Sequence, residues 1–301
     1  MTRGSYSKIQ RYSTKDGPGL RSTVFLIGCD LECVWCSNPE LIKKGRKILF
    51  HPELCNQCGA CIPVSNGAIT MGEKAVVIDR DACDNLAECA AACYYDAFEI
   101  LGQKITSADL ARKLLRDKAF YDQSGGGVTF SGGEPGMQAK FVMETAALLR
   151  AEGVHVALDT AGLLSWSKLK PLADSVDLVL YDVKAFDPEI HKACTGVGNK
   201  RILHNARKLA AAGQEMHVRM VIAPGYNDQP EDLDARLQFV HSLGASVTRL
   251  DILKLHHLGV GKYHSLGMAC ATEGGPDCPD DLADEILEKA KALGLPATIG
   301  G

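Results

Sequence analysis

The chain has 301 residues, of which 46% are apolar and 23% are charged, and its formal net charge is −4. This length is sufficient for one large α/β domain with an insertion or for two smaller domains. The sequence contains no apolar run long enough to span a bilayer, no apolar signal-peptide core at its N-terminus, and no cluster of lysine and arginine. We therefore expect a cytoplasmic protein with neither a membrane nor a nucleic-acid partner.

Apolar, β-branched runs alternate with helical patterns along most of the chain, which is typical of strand and helix units around a parallel sheet. Strands are predicted over residues 22–27, 128–130, 154–158, 177–182, 216–222 and 246–253. Helices are predicted over residues 106–120, 137–151, 165–173, 200–212, 231–243 and 281–293. Six parallel strands predict an α/β fold in the form of a partial (β/α)6 barrel, similar to an incomplete TIM barrel.

Residues 54–101 differ from the rest because they are rich in Cys, Ala and Gly and show no long helical period. Two stretches within them, LCNQCGACIPVSNGAIT and ACDNLAECAAACYYDAFEI, resemble each other, and each ends in a strand-like tail. We interpret this segment as an insertion with a two-fold internal repeat. The predicted domains are the first part of the barrel (1–50), the insertion (51–101) and the remainder of the barrel (102–301).

Twelve cysteines are present, and nine of them lie between Cys29 and Cys93. In a reducing compartment, closely spaced cysteines are more often metal ligands than disulfides. Cys29, Cys33 and Cys36 follow the first predicted strand, at the end where parallel barrels place their chemistry. Because a cubane cluster normally takes four thiolates, three leave one iron open to a ligand. From the spacing alone, a zinc site and core cysteines remain alternatives.

The C-x3-C-x2-C spacing, with an aromatic residue before the last cysteine, resembles the radical S-adenosylmethionine (SAM) superfamily. The surrounding DGPGLRSTVFLIGCDLECVWCSNPE resembles the activating enzymes of glycyl radical enzymes. Similar matches follow at the later strands, namely SGGEP (131–135), DTAG (159–162), YDVK (181–184), RMVIAPGYND (219–228) and LKLHHLGVGKYHSLG (253–267). Taken alone, SGGEP is as typical of an ordinary turn as of a cofactor site. A buried Asp and Lys, taken alone, are more often a structural ion pair.

The resemblance implies a role for each matching residue. It assigns the catalytic [4Fe-4S] cluster with an open site to Cys29, Cys33 and Cys36. It assigns contacts with SAM to Trp35, Gly132, Gly133, Glu134, Asp159, Thr160, Asp182, Lys184, Arg219 and His256. It also implies a possible monovalent cation beside Asp159 and Asp182.

The insertion carries a second set of cysteines. Three of them reproduce the first positions of the bacterial ferredoxin run C-x2-C-x2-C-x3-C-P, but the fourth position is Ser65. In two-cluster ferredoxins the fourth cysteine of each run binds the other cluster. The first ligand set would therefore consist of Cys55, Cys58, Cys61 and Cys93. The second would fall on Cys83, position 86, Cys89 and position 65, but two of these positions hold Leu86 and Ser65, so that set keeps only two thiolates. We predict a ferredoxin-like insertion with one auxiliary [4Fe-4S] cluster; a second cluster with an unusual oxygen ligand and a zinc-stapled mini-domain remain alternatives.

The resemblance implies a radical SAM oxidoreductase that cleaves SAM reductively to methionine and a 5′-deoxyadenosyl radical. That radical would take hydrogen from a glycine on the C-terminal loop of a partner enzyme, and the electron would come from a donor such as a flavodoxin or ferredoxin. The insertion would relay electrons or shape the docking surface. Two other hypotheses stay open at this point: a radical SAM enzyme acting on a small molecule or peptide, and a non-catalytic iron–sulfur electron carrier.

Overall fold

A computed structural model describes residues 1–42, 47–82 and 86–300. These residues form thirteen strands: β1 (Arg3–Ser13), β2 (Arg21–Leu26), β3 (Lys47–Phe50), β4 (Ile69–Met71), β5 (Val76–Ile78), β6 (Phe98–Leu101), β7 (Gln103–Thr106), β8 (Gly127–Gly132), β9 (His155–Thr160), β10 (Leu178–Asp182), β11 (Met216–Ile222), β12 (Val247–Lys254) and β13 (Ala297–Ile299). They also form ten α-helices: α1 (Leu86–Ala91), α2 (Ser107–Leu114), α3 (Lys118–Ser124), α4 (Ala139–Ala151), α5 (Trp166–Asp174), α6 (Pro188–Thr195), α7 (Lys200–Ala211), α8 (Pro230–Ser242), α9 (Val260–Leu266) and α10 (Asp280–Ala292). None of the described helices has the length and apolar character needed to cross a membrane.

Nine of the described strands form one sheet, in the order β13-β12-β11-β10-β9-β8-β2-β1-β7. Seven of these strands, β2 and β8 to β13, run parallel to each other. Strands β1 and β7 are antiparallel to their neighbours. The order does not return to its starting strand, so the barrel is open, and the predicted partial α/β barrel is confirmed. All six predicted strands are present, each within two residues of its predicted ends.

The two faces of the parallel strands differ in chemistry, because successive side chains of a strand point to opposite faces. On one face, apolar side chains such as Val128, Phe130, Val156 and Leu158 belong to the main core beneath the helices. The other face carries polar and charged groups that bind each other across strands, beginning with the bond from Ser131 to the Asp159 carboxylate (2.5 Å). The polar groups are therefore concentrated inside the open barrel.

Several elements differ from the sequence predictions. The helix predicted over 106–120 is divided into α2 and α3 by a 3-10 turn at Leu115–Asp117, where the Asp117 carboxylate binds Arg11 (2.9 Å) and the hydroxyl of Ser22 (3.1 Å). Helix α6 was not predicted, although Asp187 caps its N-terminus and Pro188 occupies its first position. Strands β1, β7 and β13 were also not predicted.

The insertion has a small core of its own, separate from the main core. Strand β3 pairs antiparallel with β6, and β4 pairs with β5. Ile48 and Phe50 of β3 pack in the insertion's core with Phe98 of β6. We therefore propose that the insertion begins with β3 rather than at residue 51, while it ends with β6 at residue 101.

Candidate functional site

The loop that carries Cys29, Cys33 and Cys36 follows β2 and is held by backbone hydrogen bonds. The N–H of Cys29 donates to the carbonyl of Ile42 (2.9 Å), and the N–H of Val34 donates to the carbonyl of Cys194 in α6 (2.9 Å). Helix α6, which was not predicted, therefore fixes the middle of the cysteine loop.

Cys29, Cys33 and Cys36 are free thiols. Burial raises the pKa of Cys29 to about 12 and that of Cys36 to about 11, and it raises the pKa of Cys33 as well. These thiols are therefore protonated at neutral pH until a metal displaces the protons. Within the described ranges, no three His, Cys, Asp or Glu side chains are arranged to hold one metal ion. The three cysteines of this loop offer one thiolate to each of three irons of a cubane cluster.

The SGGEP loop follows β8 and lies directly against the start of the cysteine loop. The N–H of Glu134 donates to the carbonyl of Gly28 (2.7 Å). A Cβ atom at Gly133 would lie 2.2 Å from that same carbonyl oxygen, and Gly132 has a φ of +105°. Both glycines are therefore required by the local backbone, and they bring the two loops into direct contact.

The Glu134 side chain is buried and is directed toward the DTAG turn after β9. Its carboxylate accepts hydrogen bonds from the N–H of Gly136 (2.9 Å), the hydroxyl of Thr160 (2.9 Å) and the N–H of Ala161 (3.1 Å). Burial raises the pKa of Glu134 to about 7, although these hydrogen bonds act in the opposite direction. Glu134 and Thr160, both predicted SAM contacts, are thus bound to each other.

Four charged side chains form a network that we call the charged quartet: Asp159 and Asp182 near the ends of β9 and β10, Lys184 just after β10, and Arg219 in the middle of β11. Arg219 binds Asp159 and donates from Nε to Asp182 (3.0 Å), and Lys184 donates to the other oxygen of Asp182 (2.9 Å). Their side chains are between 12% and 16% exposed. Two carboxylates and two cations balance, so the network has no formal net charge.

The quartet reaches the cysteine loop, and its two carboxyl groups differ. Burial raises the pKa of Asp159, although Arg219 acts in the opposite direction. Burial acts to raise the pKa of Asp182, but Arg219 and Lys184 more than offset it, and the pKa is lowered. Burial acts to lower the pKa of Lys184, but Asp182 and Cys33 more than offset it, and the pKa is raised. Lys184 also partly counters the effect of burial on the pKa of the Cys33 thiol. The lysine ammonium is therefore an electrostatic neighbour of the central cysteine.

A cavity of about 450 Å³ opens beside the quartet. Three of the predicted SAM contacts line it: Trp35, Arg219 and His256. Lys15, Asp16 and Ser37 also line it and were not assigned a role from the sequence. The sequence marks Asp16 by its place in the DGPG turn. That turn carries part of the family resemblance, but none of its residues was given a role in the site. The carboxylate of Asp16 accepts from the hydroxyl of Thr23 (2.6 Å), which fixes it inside the barrel.

In the insertion, four predicted ligands line one small cavity together with Tyr95 and Phe98: Cys55, Cys58, Cys61 and Cys93. Burial raises the pKa of the Cys61 thiol, and the other three thiols raise it further because they lie close by. The cysteine from the second half of the repeat therefore joins the three from the first half.

Of the second predicted ligand set, the structure describes the side chains of Cys89 and Ser65. Cys89 is fully buried, and its thiol is directed toward the carbonyl of Cys61 (3.9 Å). The Ser65 hydroxyl donates to the carbonyl of Ile62 (2.8 Å) and accepts from the N–H of Ile69 (3.0 Å). Cys83 and the side chain of Leu86 lie outside the described residues.

Several known proteins are similar to this chain. Residues 83–237 match the family model of the radical SAM superfamily. The chain is 37% identical over 304 aligned positions to the benzylsuccinate synthase activating enzyme of Thauera aromatica, covering 98% of this chain and 92% of that protein. It is 34% identical over 295 positions to the trans-4-hydroxy-L-proline dehydratase activating enzyme of Clostridioides difficile, covering 97% and 98%. A crystal structure of a domain of pyruvate-formate lyase-activating enzyme from Bacteroides vulgatus ATCC 8482 matches with a TM-score of 0.51 and 26% identity, covering 59% of this chain and 100% of that one.

Proposed function

Because this chain belongs to the radical SAM superfamily and, within it, to the activating enzymes of glycyl radical enzymes, we propose that it generates a glycyl radical on a partner enzyme. One observation carries this proposal: the cysteine loop, the charged quartet and the 450 Å³ cavity meet at the same end of the open barrel. When bound, the cluster and SAM supply the one-electron cleavage to methionine and a 5′-deoxyadenosyl radical, which takes hydrogen from the partner's glycine.

The residues of the chain bind and orient the reactants. We propose that the thiolates of Cys29, Cys33 and Cys36 hold the cluster, and that Arg219 and Lys184 supply positive charge for the carboxylate of the methionine part of SAM. Trp35 is only 7% exposed, and its ring packs edge-to-face on Tyr226 with 6.4 Å between centroids, so it closes one wall of the cavity against water. His256 lines the same cavity and is exposed.

The proposed monovalent cation has to compete with contacts already made. Asp159 is bound by Arg219 and Ser131, and Asp182 is bound by Arg219 and Lys184, so each of their four oxygens has a partner. We propose that a cation binds only when SAM draws one of these side chains away. SAM affinity that rises with potassium or sodium would support the proposal, and an affinity independent of both ions would contradict it.

For the insertion we propose a single auxiliary [4Fe-4S] cluster on Cys55, Cys58, Cys61 and Cys93. The support is their shared cavity, together with the engagement of Cys89 and Ser65 elsewhere. Anaerobic protein should contain about eight irons per chain, because each cubane holds four. Cys93→Ala should reduce this to about four and Cys89→Ala should leave it unchanged. About twelve irons in the wild type would refute the single cluster.

We propose that the partner's C-terminal glycine loop enters through the open side of the barrel, since the sheet leaves a gap that a complete barrel would close. The electron would come from a flavodoxin or ferredoxin, either directly or through the insertion. The free thiols of the two proposed ligand sets, at Cys29, Cys33, Cys36, Cys55, Cys58, Cys61 and Cys93, support a reducing compartment such as the cytoplasm.

The decisive experiment mixes reduced protein and SAM with a panel of candidate partners, including benzylsuccinate synthase, isethionate sulfite-lyase and trans-4-hydroxy-L-proline dehydratase. We expect one partner to develop the doublet electron paramagnetic resonance (EPR) signal of a glycyl radical. Cys33→Ala should abolish 5′-deoxyadenosine formation. Cys270→Ala, at a cysteine outside both ligand sets, should not. The proposal would be contradicted if SAM is cleaved but no partner develops a radical, and if a small molecule or peptide is converted instead.

A further inference from the structure

Helix α9 lies against the segment that directly follows Cys36. The Lys262 ammonium donates to three acceptors in that segment: the carbonyl of Ser37 (3.0 Å), the side-chain oxygen of Asn38 (2.7 Å) and the carboxylate of Glu40 (2.9 Å). An ammonium group has three hydrogens, so its donor capacity is fully used. The Glu40 side chain is only 4% exposed, so Lys262 compensates a buried negative charge.

The packing around α9 leaves this segment little freedom. The buried Tyr263 donates from its hydroxyl to the carbonyl of Cys36 (3.0 Å). A Cβ atom added at Gly259 would lie 3.0 Å from the Cα of Ser37, so the two backbones are already in close contact. Leu266, at the end of α9, packs against the insertion. The helix is therefore held on both sides and forms a rigid support for the cysteine loop.

One of the supported groups acts directly on a cysteine ligand. The backbone N–H of Asn38 donates to the Sγ atom of Cys36 (3.4 Å). Hydrogen bonds to cluster sulfurs stabilise the more negative, reduced form and raise the reduction potential. Lys262 orients Asn38 by binding its side chain and neutralises Glu40, whose charge would otherwise oppose reduction.

We propose that Lys262 and Asn38 are positioning residues that set the reduction potential of the cluster held by Cys29, Cys33 and Cys36. This inference rests on the proposed function, because it requires that cluster. It assigns the KYHSLG part of the sequence to control of electron acceptance, separate from the SAM contacts.

The test is an anaerobic redox titration followed by EPR, using the reduced-cluster signal that changes when SAM is added. Lys262→Met should shift the midpoint to a more negative potential. At the wild-type midpoint, the reduced-to-oxidised ratio should fall on the order of tenfold, which is about 59 mV for one electron. Asn38→Ala should shift it in the same direction by less. Lys289→Met removes the same charge from an exposed pair with Asp234 (2.9 Å) and should leave the midpoint unchanged.

A double variant protects the test against misfolding, because Lys262→Met leaves Glu40 buried without its cation. Lys262→Met combined with Glu40→Gln restores neutrality and should retain part of the shift, since Asn38 still loses its partner. Variants with full cluster content and the wild-type midpoint would overturn the inference. So would a loss of iron with no change in the midpoint of the remaining cluster, which indicates a merely structural role. A wild type without any SAM-responsive cluster would overturn the proposed function itself.

Discussion

Replacing Gly133 with alanine tests whether the SGGEP loop must touch the cysteine loop. The new Cβ atom would lie 2.2 Å from the carbonyl oxygen of Gly28, 2.7 Å from its carbon and 3.2 Å from the carbonyl oxygen of Leu41. Because the obstructing atoms belong to the backbone, no side-chain rotation relieves the overlap. The two loops must therefore separate by about 1 Å to reach ordinary van der Waals distance.

The expected cost has two parts. Forcing an extra carbon into a packed site costs about 1–3 kcal/mol. Separating the loops also weakens the bond from the Glu134 N–H to Gly28 (2.7 Å), which is worth about 1 kcal/mol. The free energy of unfolding of cluster-free Gly133→Ala should thus fall by about 2–4 kcal/mol, measured by urea titration under anaerobic reducing conditions.

The same displacement should slow SAM cleavage in the loaded enzyme on the order of 100-fold, because a shift of about 1 Å misplaces bound reactants. Gly198→Ala is the matched control, since a Cβ atom there meets no atom within 4 Å. Its unfolding free energy and cleavage rate should stay near those of the wild type. A Gly133→Ala protein with wild-type values for both would refute the requirement for close contact.

Buried charged groups elsewhere in the barrel give three more tests. Because burial raises the pKa of Glu134 from 4.5 to about 7, the folded protein holds a proton in this pH window that the unfolded chain has lost. The unfolding free energy of the cluster-free protein should therefore fall as the pH rises from 4.5 to about 7. Glu134→Gln should remove this dependence on pH. Equal dependence in the wild type and the variant would contradict the reasoning. Arg21 is fully buried and donates to the Thr129 hydroxyl (2.7 Å). In urea titration, Arg21→Met should therefore lower the unfolding free energy by about 2–4 kcal/mol. The same change at the exposed Arg112 should lower it by about 0.5 kcal/mol. Arg219→Lys cannot bridge both carboxylates of the charged quartet and should weaken SAM binding about tenfold in equilibrium dialysis, where an unchanged affinity would argue against a binding role.

The barrel strands were predictable because one face of each is buried under helices. Val128 and Phe130 in β8, for example, alternate with polar residues that face the interior, and this alternation is visible in the sequence. Strand β1 (Arg3–Ser13) shows no such signal, since seven of its eleven residues are Arg, Ser, Lys or Gln and residues 10–12 are exposed. Its place in the sheet comes from pairing with β2 and β7, which sequence periodicity does not encode.

The candidate site was predictable to the extent that local motifs mark it. The repeat in the insertion indicated that Cys93 would join the first three cysteines, and these four line one cavity. Long-range contacts had no such signal. Lys262 binds Glu40 across 222 positions of sequence, and Glu134 is directed to Thr160 across 26, so neither contact follows from residue spacing. Such pairs are selected by the folded barrel, which brings the ends of different strands together.

The charged quartet is difficult to explain by stability alone. Buried ion networks lose hydration, and replacing them with packed apolar residues is often neutral or stabilising. The opposite face of the same strands shows that apolar packing is available, since Val179 and Val218 are fully buried in the main core. The polar residues instead lie beside Cys33 and the 450 Å³ cavity. Because their charges already balance, an incoming carboxylate can replace one anionic partner of Arg219 or Lys184 without leaving a cation unpaired. A site arranged in this way suits a charged ligand such as SAM, which a wholly apolar cavity would exclude.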